Sequence, residues 1–465
     1  MIALGPLIAL GLGALAAMLL APKARPVAAR AAAGLGMAVA AVLAAARLGL
    51  PAEMATPVLA DDGLARFGVL LASLTGLAAL IYLRPAPPAR EGPALMALAT
   101  LGAALLAGAS HAATLFVGLE LVTLSLIALF VLPLTRRALE AGYKLLIMGG
   151  AGAAALLMGI AFAYAASGSL ELQGWMPAPG LRGDPLMAVA AGFLLAGLAF
   201  KFALVPFHMW APDGFQGAPA AAAAFAGAAS KAVVAIALVR LAAVGLPEPV
   251  WSFGLALAAA ASMLVGNFLA LRQDSLTRML GYSSVAHSGY LAAMVATGAA
   301  APEAVPFYLM AYAPALLVAL CIAARLGPDP QLADLKSLAW RQPLTGAALT
   351  LALISLAGLP AVAGFIAKIY VFLAILAVGD WMLLGAALIG SGFGLYYYLR
   401  FVVVLYRRIP PGQDAAPYPV REAPAPAEAA PPLAEAALLV AASALLLAAG
   451  LVPGPFAAAL AGLMP

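Results

Sequence analysis

Residues 199–213 read AFKFALVPFHMWAPD, the end of an apolar run that starts near Pro185. A run of that length suits a bilayer, whose hydrocarbon takes about 20 apolar residues per helix. Yet it carries a cation (Lys201), a helix breaker (Pro206) and an imidazole (His208) within eight positions. Proline inside a helix removes a backbone hydrogen bond and opens the turn before it. In lipid such a break is tolerated only where the freed groups meet protein or water, and transporters place broken spans at their binding sites. The stretch therefore reads as a lysine beside a helix opened at Pro206. His208 follows Lys201 by seven positions and on an unbroken helix would share its face.

The rest of the chain has the same character. Of its 465 residues 65% are hydrophobic and 9% charged, against about 25% charged in an ordinary soluble domain. So few ions cannot cover a globular surface, and the expectation is an all-α integral membrane protein. The net charge of +5 does not point to nucleic acid, because the basic residues are scattered between apolar runs and form no patch. The lone cysteine, Cys321, excludes an internal disulfide, an iron–sulfur cluster and a Cys-based zinc site. His111, His208 and His287 are dispersed, with no carboxylates at ligand spacing, which argues against a metal site. The glycines of GLGALA (11–16) imitate a dinucleotide fingerprint, but no strand precedes them and no acidic residue follows at the required distance. Small residues on a helix-packing face explain them better. The first segment has its basic residues after it, the reverse of a cleavable signal.

Measured against the bilayer, the sequence yields fourteen candidate spans, near 2–21, 27–46, 63–83, 93–109, 111–133, 139–166, 185–210, 217–245, 249–271, 276–298, 303–325, 344–375, 379–406 and 433–460. Basic residues set the orientation. Fifteen fall in odd-to-even connections (Lys23, Arg25 and Arg30 in the first) and four in even-to-odd ones, namely Arg47, Arg66, Arg182 and Arg240. That bias places both termini on the outer side. The stretch 409–432, rich in proline and alanine, reads as an inner-side linker.

A short set of ionisable residues remains deep in spans: Glu120, Lys144, Lys201, Lys231 and Lys368. Each costs roughly 2.5–3.5 kcal/mol at mid-bilayer on insertion scales, where leucine would pack as well. Lys144 is near enough to a span end to snorkel, and Glu120 is the single deep carboxylate. Lys201, Lys231 and Lys368 are expected more than two turns from either end of their spans. Burial lowers an amine's proton affinity and a nearby carboxylate restores it, so buried lysines with an adjustable partner suit a proton relay. His287 lies in GYSSVAHSGY with Ser283, Ser284 and Ser288, the lining of a wet cavity or polar glue between helices. His111, at a connection, reads as incidental.

The broken span has a second copy. In LISLAGLPAVAGFIAKIYVF (353–372), Gly358 and Pro360 interrupt a long span and Lys368 follows. The two breaks fall in the seventh and twelfth spans, an odd offset, so the second unit starts on the opposite side of the membrane. This predicts two inverted five-helix repeats, spans 4–8 and 9–13. The chain divides accordingly into a three-helix segment (1–92), a first repeat (93–248), a second (249–408), the linker (409–432) and a C-terminal helix (433–465).

Taken together, FKFALVPFHMWAPDGFQGAP (200–219), LGYSSVAHSGY (280–290), LAGLPAVAGFIAKIYVF (356–372) and EAGYKLLIMGG (140–150) resemble the antiporter-like subunits of respiratory complex I, the proton-pumping NADH:quinone oxidoreductase of bacteria. The resemblance implies a fourteen-span fold with two inverted repeats. By position, Glu120 matches a fifth-span glutamate that pairs with the seventh-span lysine, here Lys201. Lys144 matches a sixth-span lysine, Lys231 the eighth-span lysine at the centre of the proton path, and Lys368 the residue at the outer exit. A lysine rather than glutamate on the twelfth span, and an end soon after the fourteenth, set the chain apart from two siblings. It departs from the family's GAPTP with GAPAAAAAF (217–225), which bears on the shape of the eighth span's start. The implied function is proton translocation in the bacterial inner membrane beside other membrane subunits. No redox centre is expected in this chain: NADH, FMN, iron–sulfur clusters and quinone belong to partner subunits. A multi-subunit cation/proton antiporter or a membrane-bound hydrogenase would share the fold and the lysines, and a scaffold would use the buried ions only to hold helices together.

Overall fold

The computed structural model describes residues 2–22, 26–83, 89–176, 184–247, 250–408 and 431–463. Lys23, Arg25, Arg84, Arg182 and Arg421, which enter the orientation argument, and nearly all of the 409–432 linker lie outside the described residues. The chain is a stack of helices: α1 (Gly5–Leu20), α2 (Pro26–Arg47), α3 (Gly63–Tyr82), α4 (Gly92–Ala107), α5 (Ala112–Val131), α6 (Arg136–Ser167), α7 (Pro185–Phe202), α8 (Trp210–Gly217), α9 (Ala220–Phe225), α10 (Lys231–Val244), α11 (Val250–Ala270), α12 (Leu276–Thr297), α13 (Ala304–Leu326), α14 (Leu338–Arg341), α15 (Pro343–Ala357), α16 (Ala363–Val378), α17 (Trp381–Tyr406), α18 (Leu433–Leu451) and α19 (Pro453–Ala461). Among the described residues ten helices are long and apolar enough to cross a membrane, taking α9 through α10 as one. α1, α4, α15 and α16 are apolar but shorter. The spans read from the sequence fall on these helices or on consecutive pairs, except 276–298, which falls on α12, a helix in neither group.

Helix ends follow from local chemistry. Asp62, Thr135, Asp184, Ser275 and Asp380 cap the first turns of α3, α6, α7, α12 and α17 through side-chain oxygens, which satisfies amides the helix cannot. His111 does the same for α5, its Nδ1 accepting from the Ala113 amide at 3.1 Å, so the histidine read as incidental is a cap. Small residues then let helices approach closely. Gly13 of α1 faces Gly36 of α2, and a Cβ on either would lie 2.9 Å from the other's Cα. A short antiparallel hairpin, β1 (Glu53–Thr56) and β2 (Leu59–Asp61), joins α2 to α3; its alternation is too brief to stand out between two apolar runs.

The seventh span opens where the sequence said it would, with the break spread over 203–209. α7 stops at Phe202, Ala203 turns left-handed (φ 58°), and α8 begins at Trp210. The freed Val205 amide donates to Ser262 Oγ of α11 at 2.9 Å, and Trp210 Nε1 donates to the Phe200 carbonyl at 3.0 Å. The second break runs from Gly358 (φ 78°) through Pro360 and Ala361 (φ 75°) to Val362. There Gly364 N donates to Ser355 Oγ at 3.1 Å, and α18 crosses directly above. A Cβ on Gly450 would lie 2.3 Å from Val362 backbone atoms. Both breaks therefore meet protein rather than lipid, as the bilayer requires. A third irregularity had no sequence signal: a π turn over Ala226–Ser230, immediately before Lys231.

The Gly450 contact leaves no room for a side chain. Gly450→Leu is expected to lose about 1–3 kcal/mol through overpacking and to lower the thermal unfolding temperature in detergent. Gly385→Ala, where nothing lies within 4 Å, should leave it unchanged.

Candidate functional site

The two helix breaks bring Lys201 and Lys368 near helix ends, while Lys231 follows the π turn inside the continuous helix 220–244. Lys201 is the penultimate residue of α7 and Lys368 the sixth of α16, where unbroken spans would have put them more than two turns inside; Lys231, the first residue of α10, stays more than two turns from either end of the helix 220–244. All three are buried, at 1%, 1% and 6% exposure. A cation near a helix C-terminus is favoured by the aligned peptide dipoles, and two of the three use this. Lys201 sits in the last turn of α7, while Lys368 Nζ donates at 2.7 Å to the carbonyl of Ala357, the last residue of α15.

Lys201 Nζ donates to Thr123 Oγ1 at 2.7 Å, and that hydroxyl donates on to Leu119 O at 2.7 Å. Glu120 lies one turn before Thr123 on α5; no direct hydrogen bond joins it to Lys201, and its Oε1 is buried without a partner. His208 does not share a helix face with Lys201, because the helix ends between them. It stands in the break, its Nδ1 buried and unpartnered.

Lys231 Nζ donates to Ser284 O at 2.7 Å and to Ser288 Oγ at 2.8 Å on α12. From there a polar band crosses the molecule. Ser284 Oγ meets Tyr312 OH at 2.8 Å, His287 Nδ1 meets Tyr308 OH at 2.7 Å, and His287 Nε2 meets Tyr398 OH at 3.3 Å. Ser283 Oγ also bonds the Tyr398 hydroxyl. Tyr397 OH donates to Asn267 Oδ1 at 3.0 Å, and Tyr290, hydrogen-bonded to Ser391 at 3.1 Å, holds its ring 5.4 Å from Lys368 Nζ. The serines and His287 were legible in GYSSVAHSGY. The tyrosines of α13 and α17, and Asn267 of α11, were not, since aromatic residues in an apolar run look like core until their hydroxyls are seen to converge.

Lys144 belongs elsewhere. It is 37% exposed and bonds Asp213 Oδ2 at 2.6 Å and Glu140 Oε1 at 2.7 Å. Asp213, on α8, also takes Arg278 of α12 at 2.6 Å. Nearby, Asp329 accepts from Arg137, Gln216 and Ser275 at 2.6, 3.1 and 2.6 Å.

The NADH:quinone oxidoreductase/Mrp antiporter transmembrane family matches residues 109–394. NADH-quinone oxidoreductase subunit N of Cereibacter sphaeroides is 56% identical over 421 residues, covering 90% of this chain and 92% of that one. The chain belongs to this family, on its subunit N branch. A chain of respiratory complex I from Thermus thermophilus superposes with a TM-score of 0.86 at 36% identity, over 98% of this chain and 99% of that one. A chain of the Mrp complex from a Dietzia species shares the fold, with a TM-score of 0.84 at 21% identity over 99% and 96%.

The antiporter-family match begins at residue 109, so α1–α4 precede it, and ions fasten α3 and α4 to it. Arg66, 2% exposed, donates to both Asp61 carboxylate oxygens and to the carbonyls of Arg47, Leu50, Pro51 and Asp61. Arg47 takes Asp61 at 2.6 Å and also pairs with Glu53. Arg240 of α10 grips Asp62 with two bonds of 2.8 and 2.7 Å and donates to Ala107 O at 3.0 Å. Three of the four basic residues that run against the charge bias are therefore held by carboxylates. Burial alone would raise the Asp62 carboxyl, but the Arg240 hydrogen bonds and charge outweigh it and hold the group below its ordinary value. Its stabilisation is accordingly complete above the ordinary value of about 3.9 and is lost as pH falls through the native one. Asp62→Asn leaves Arg240 buried without its partner. It should cost about 3 kcal/mol at pH 7, with the gap to the parent closing in acid, measured by thermal unfolding at both pH values.

Proposed function

We propose that this chain is a proton-translocating membrane subunit of an NADH:quinone oxidoreductase, moving protons through its buried lysines while partner subunits carry NADH, FMN, iron–sulfur clusters and quinone. The observation that carries the reading is the presence of three buried amines, Lys201, Lys231 and Lys368, two of them beside broken spans, with Lys231 hydrogen-bonded to the α12 serines and Lys368 beside the Tyr290 ring of the same polar band. Nothing about packing requires an amine at these places. We further propose fourteen spans with the helices α4–α10 and α11–α17 as inverted repeats, each holding one broken span, and both termini on the outer face of a bacterial inner membrane.

In this reading a neighbouring subunit changes the distance between Glu120 and Lys201. With the carboxylate close, the Lys201 ammonium is stabilised; with it withdrawn, burial favours the neutral amine, and a proton passes on. Lys231 receives it against the α12 serines, His287 lies beyond, and Lys368 releases it. Thr123 holds the Lys201 amine in either state. Lys144, tied to Asp213 and Glu140, stands to the side as part of an ion cluster between α6, α8 and α12.

Lys231→Ala and Lys368→Ala in the assembled complex are expected to abolish proton pumping in vesicles energised with NADH. Lys144→Arg should keep most of it. Pumping that survives loss of both deep amines would reject the reading.

A further inference from the structure

On the face that the charge bias assigns to the inner side, several cations already lie against carboxylates. Arg137 meets Asp329, Lys144 and Arg278 meet Asp213, Arg325 meets Glu435 and Arg400 meets Asp274. Lys336, Arg341, Arg407 and Arg408 differ. All four are exposed, and among the described residues none of them forms an ion pair. Local structure gathers them. The buried Leu335 and Leu338 anchor the connection before α15. Ser337 Oγ donates to Arg407 O at 3.0 Å and Trp340 Nε1 to Tyr406 O at 2.9 Å, which pins α14 to the end of α17. Arg408 lies over the Trp340 ring, 4.7 Å from its centroid, and Arg341 Nη2 donates to Lys336 O at 3.0 Å. Asp334, the sole carboxylate of 331–342, is turned back on the Gln331 amide at 2.8 Å.

We infer that α14 and the end of α17 form a headgroup site for an anionic phospholipid, its phosphate among Lys336, Arg341, Arg407 and Arg408 and its acyl chains along Leu344 and Val403. Depth, charge and surface agree on this occupant. α17 has 26 residues, a few more than the hydrocarbon needs, so its last turn emerges at headgroup level. Trp340 and Tyr406 are exposed there with their rings edge to face, the aromatic pairing of a membrane–water interface. Leu344 of α15 and Val403 of α17 are exposed beside them on the lipid side of the cations. Basic clusters at the inner ends of spans attract anionic headgroups. The stacked Arg408 guanidinium keeps its in-plane N–H groups for phosphate oxygens, and its place over Trp340 lowers the ordering cost of binding. A docked protein would need acidic side chains in place of the phosphate and would cover the aromatic pair.

The test places a photoreactive probe at the lipid side of the patch, Leu344→p-benzoylphenylalanine, in the assembled complex. The complex is reconstituted in vesicles of phosphatidylglycerol and phosphatidylcholine in equal amounts, irradiated, and its adducts are identified by mass spectrometry. Each surface cation strengthens binding of anionic lipid by about fivefold. Phosphatidylglycerol adducts should therefore exceed phosphatidylcholine adducts by at least about tenfold. Arg408→Gln should cut that preference by about fivefold, and Lys336→Gln combined with Arg341→Gln by more than about tenfold. These are exposed side chains, so the fold survives their loss, and the two variants remove charge from separate segments. Equal capture of the two lipids by the parent, or a preference unchanged in both variants, would overturn the inference. Adducts to a partner subunit or to residues 409–430 in place of lipid would overturn it as well, by naming another occupant.

Discussion

Hydrocarbon offers no hydrogen bonds, so every backbone group released by a broken helix and every buried charge must find its partner inside the protein. Most of this molecule's polar architecture follows from that constraint. Opening α7 at Ala203 frees amides and carbonyls in the middle of an apolar assembly, and Ser262 and Trp210 are there to meet them. Opening the span between α15 and α16 frees more, met by Ser355, by the Lys368 ammonium on Ala357 O and by the close cover of α18. The breaks and the lysines are one device. An interrupted helix presents carbonyl ends to a cation, and a cation at that place offsets part of the cost of interrupting the helix.

The same constraint explains why Lys201 and Lys231 are held by hydroxyls and a carbonyl rather than by carboxylates. A tight ion pair would fix the amine as an ammonium, whereas neutral acceptors can hold it charged or uncharged. Lys144 is the contrast. It lies against two carboxylates at a partly exposed position, where a permanent charge is easily kept. The lysines of one sequence-level set thus differ in their partners: Lys201 and Lys231 rest on neutral acceptors, Lys144 on carboxylates.

What the sequence disclosed and what it withheld divide along the same physical line. Pro206, Gly358 and Pro360 are backbone breakers whose effect is local, so both interruptions were legible, as were apolar runs of bilayer length. The π turn before Lys231 was hidden because Ala226–Ser230 reads AGAAS, which continues a helix as readily as it widens one. The tyrosine band was hidden for another reason. Tyr308, Tyr312, Tyr397 and Tyr398 lie on α13 and α17, far apart in sequence, and only the packing of these helices on α12 brings their hydroxyls around His287. His208 was misread in part: the seven-residue spacing from Lys201 has meaning only on a continuous helix, and the break it helps to mark removes that continuity.

The two halves of the antiporter-like segment are not independent. Ser262 of α11 satisfies the break beside α7, and Asp213 of α8 ties both α6 and α12 through Lys144 and Arg278. A displacement of α8 therefore strains contacts in the second half directly, without a chain of intermediate residues. Packed interiors transmit such strain because they have few voids to absorb it. The Glu120–Lys201 neighbourhood sits just upstream of this junction, and Lys231 at the start of α10 sits just downstream of it, past the π turn. Single-turn π bulges inside α-helices are rare and frequently lie at functional sites. Relaxing that turn would rotate Lys231 relative to Ser284 and Ser288. Residues 221–230 are buried throughout, with Leu316 and Phe215 crowding Gly227, so any such rotation must move those neighbours with it.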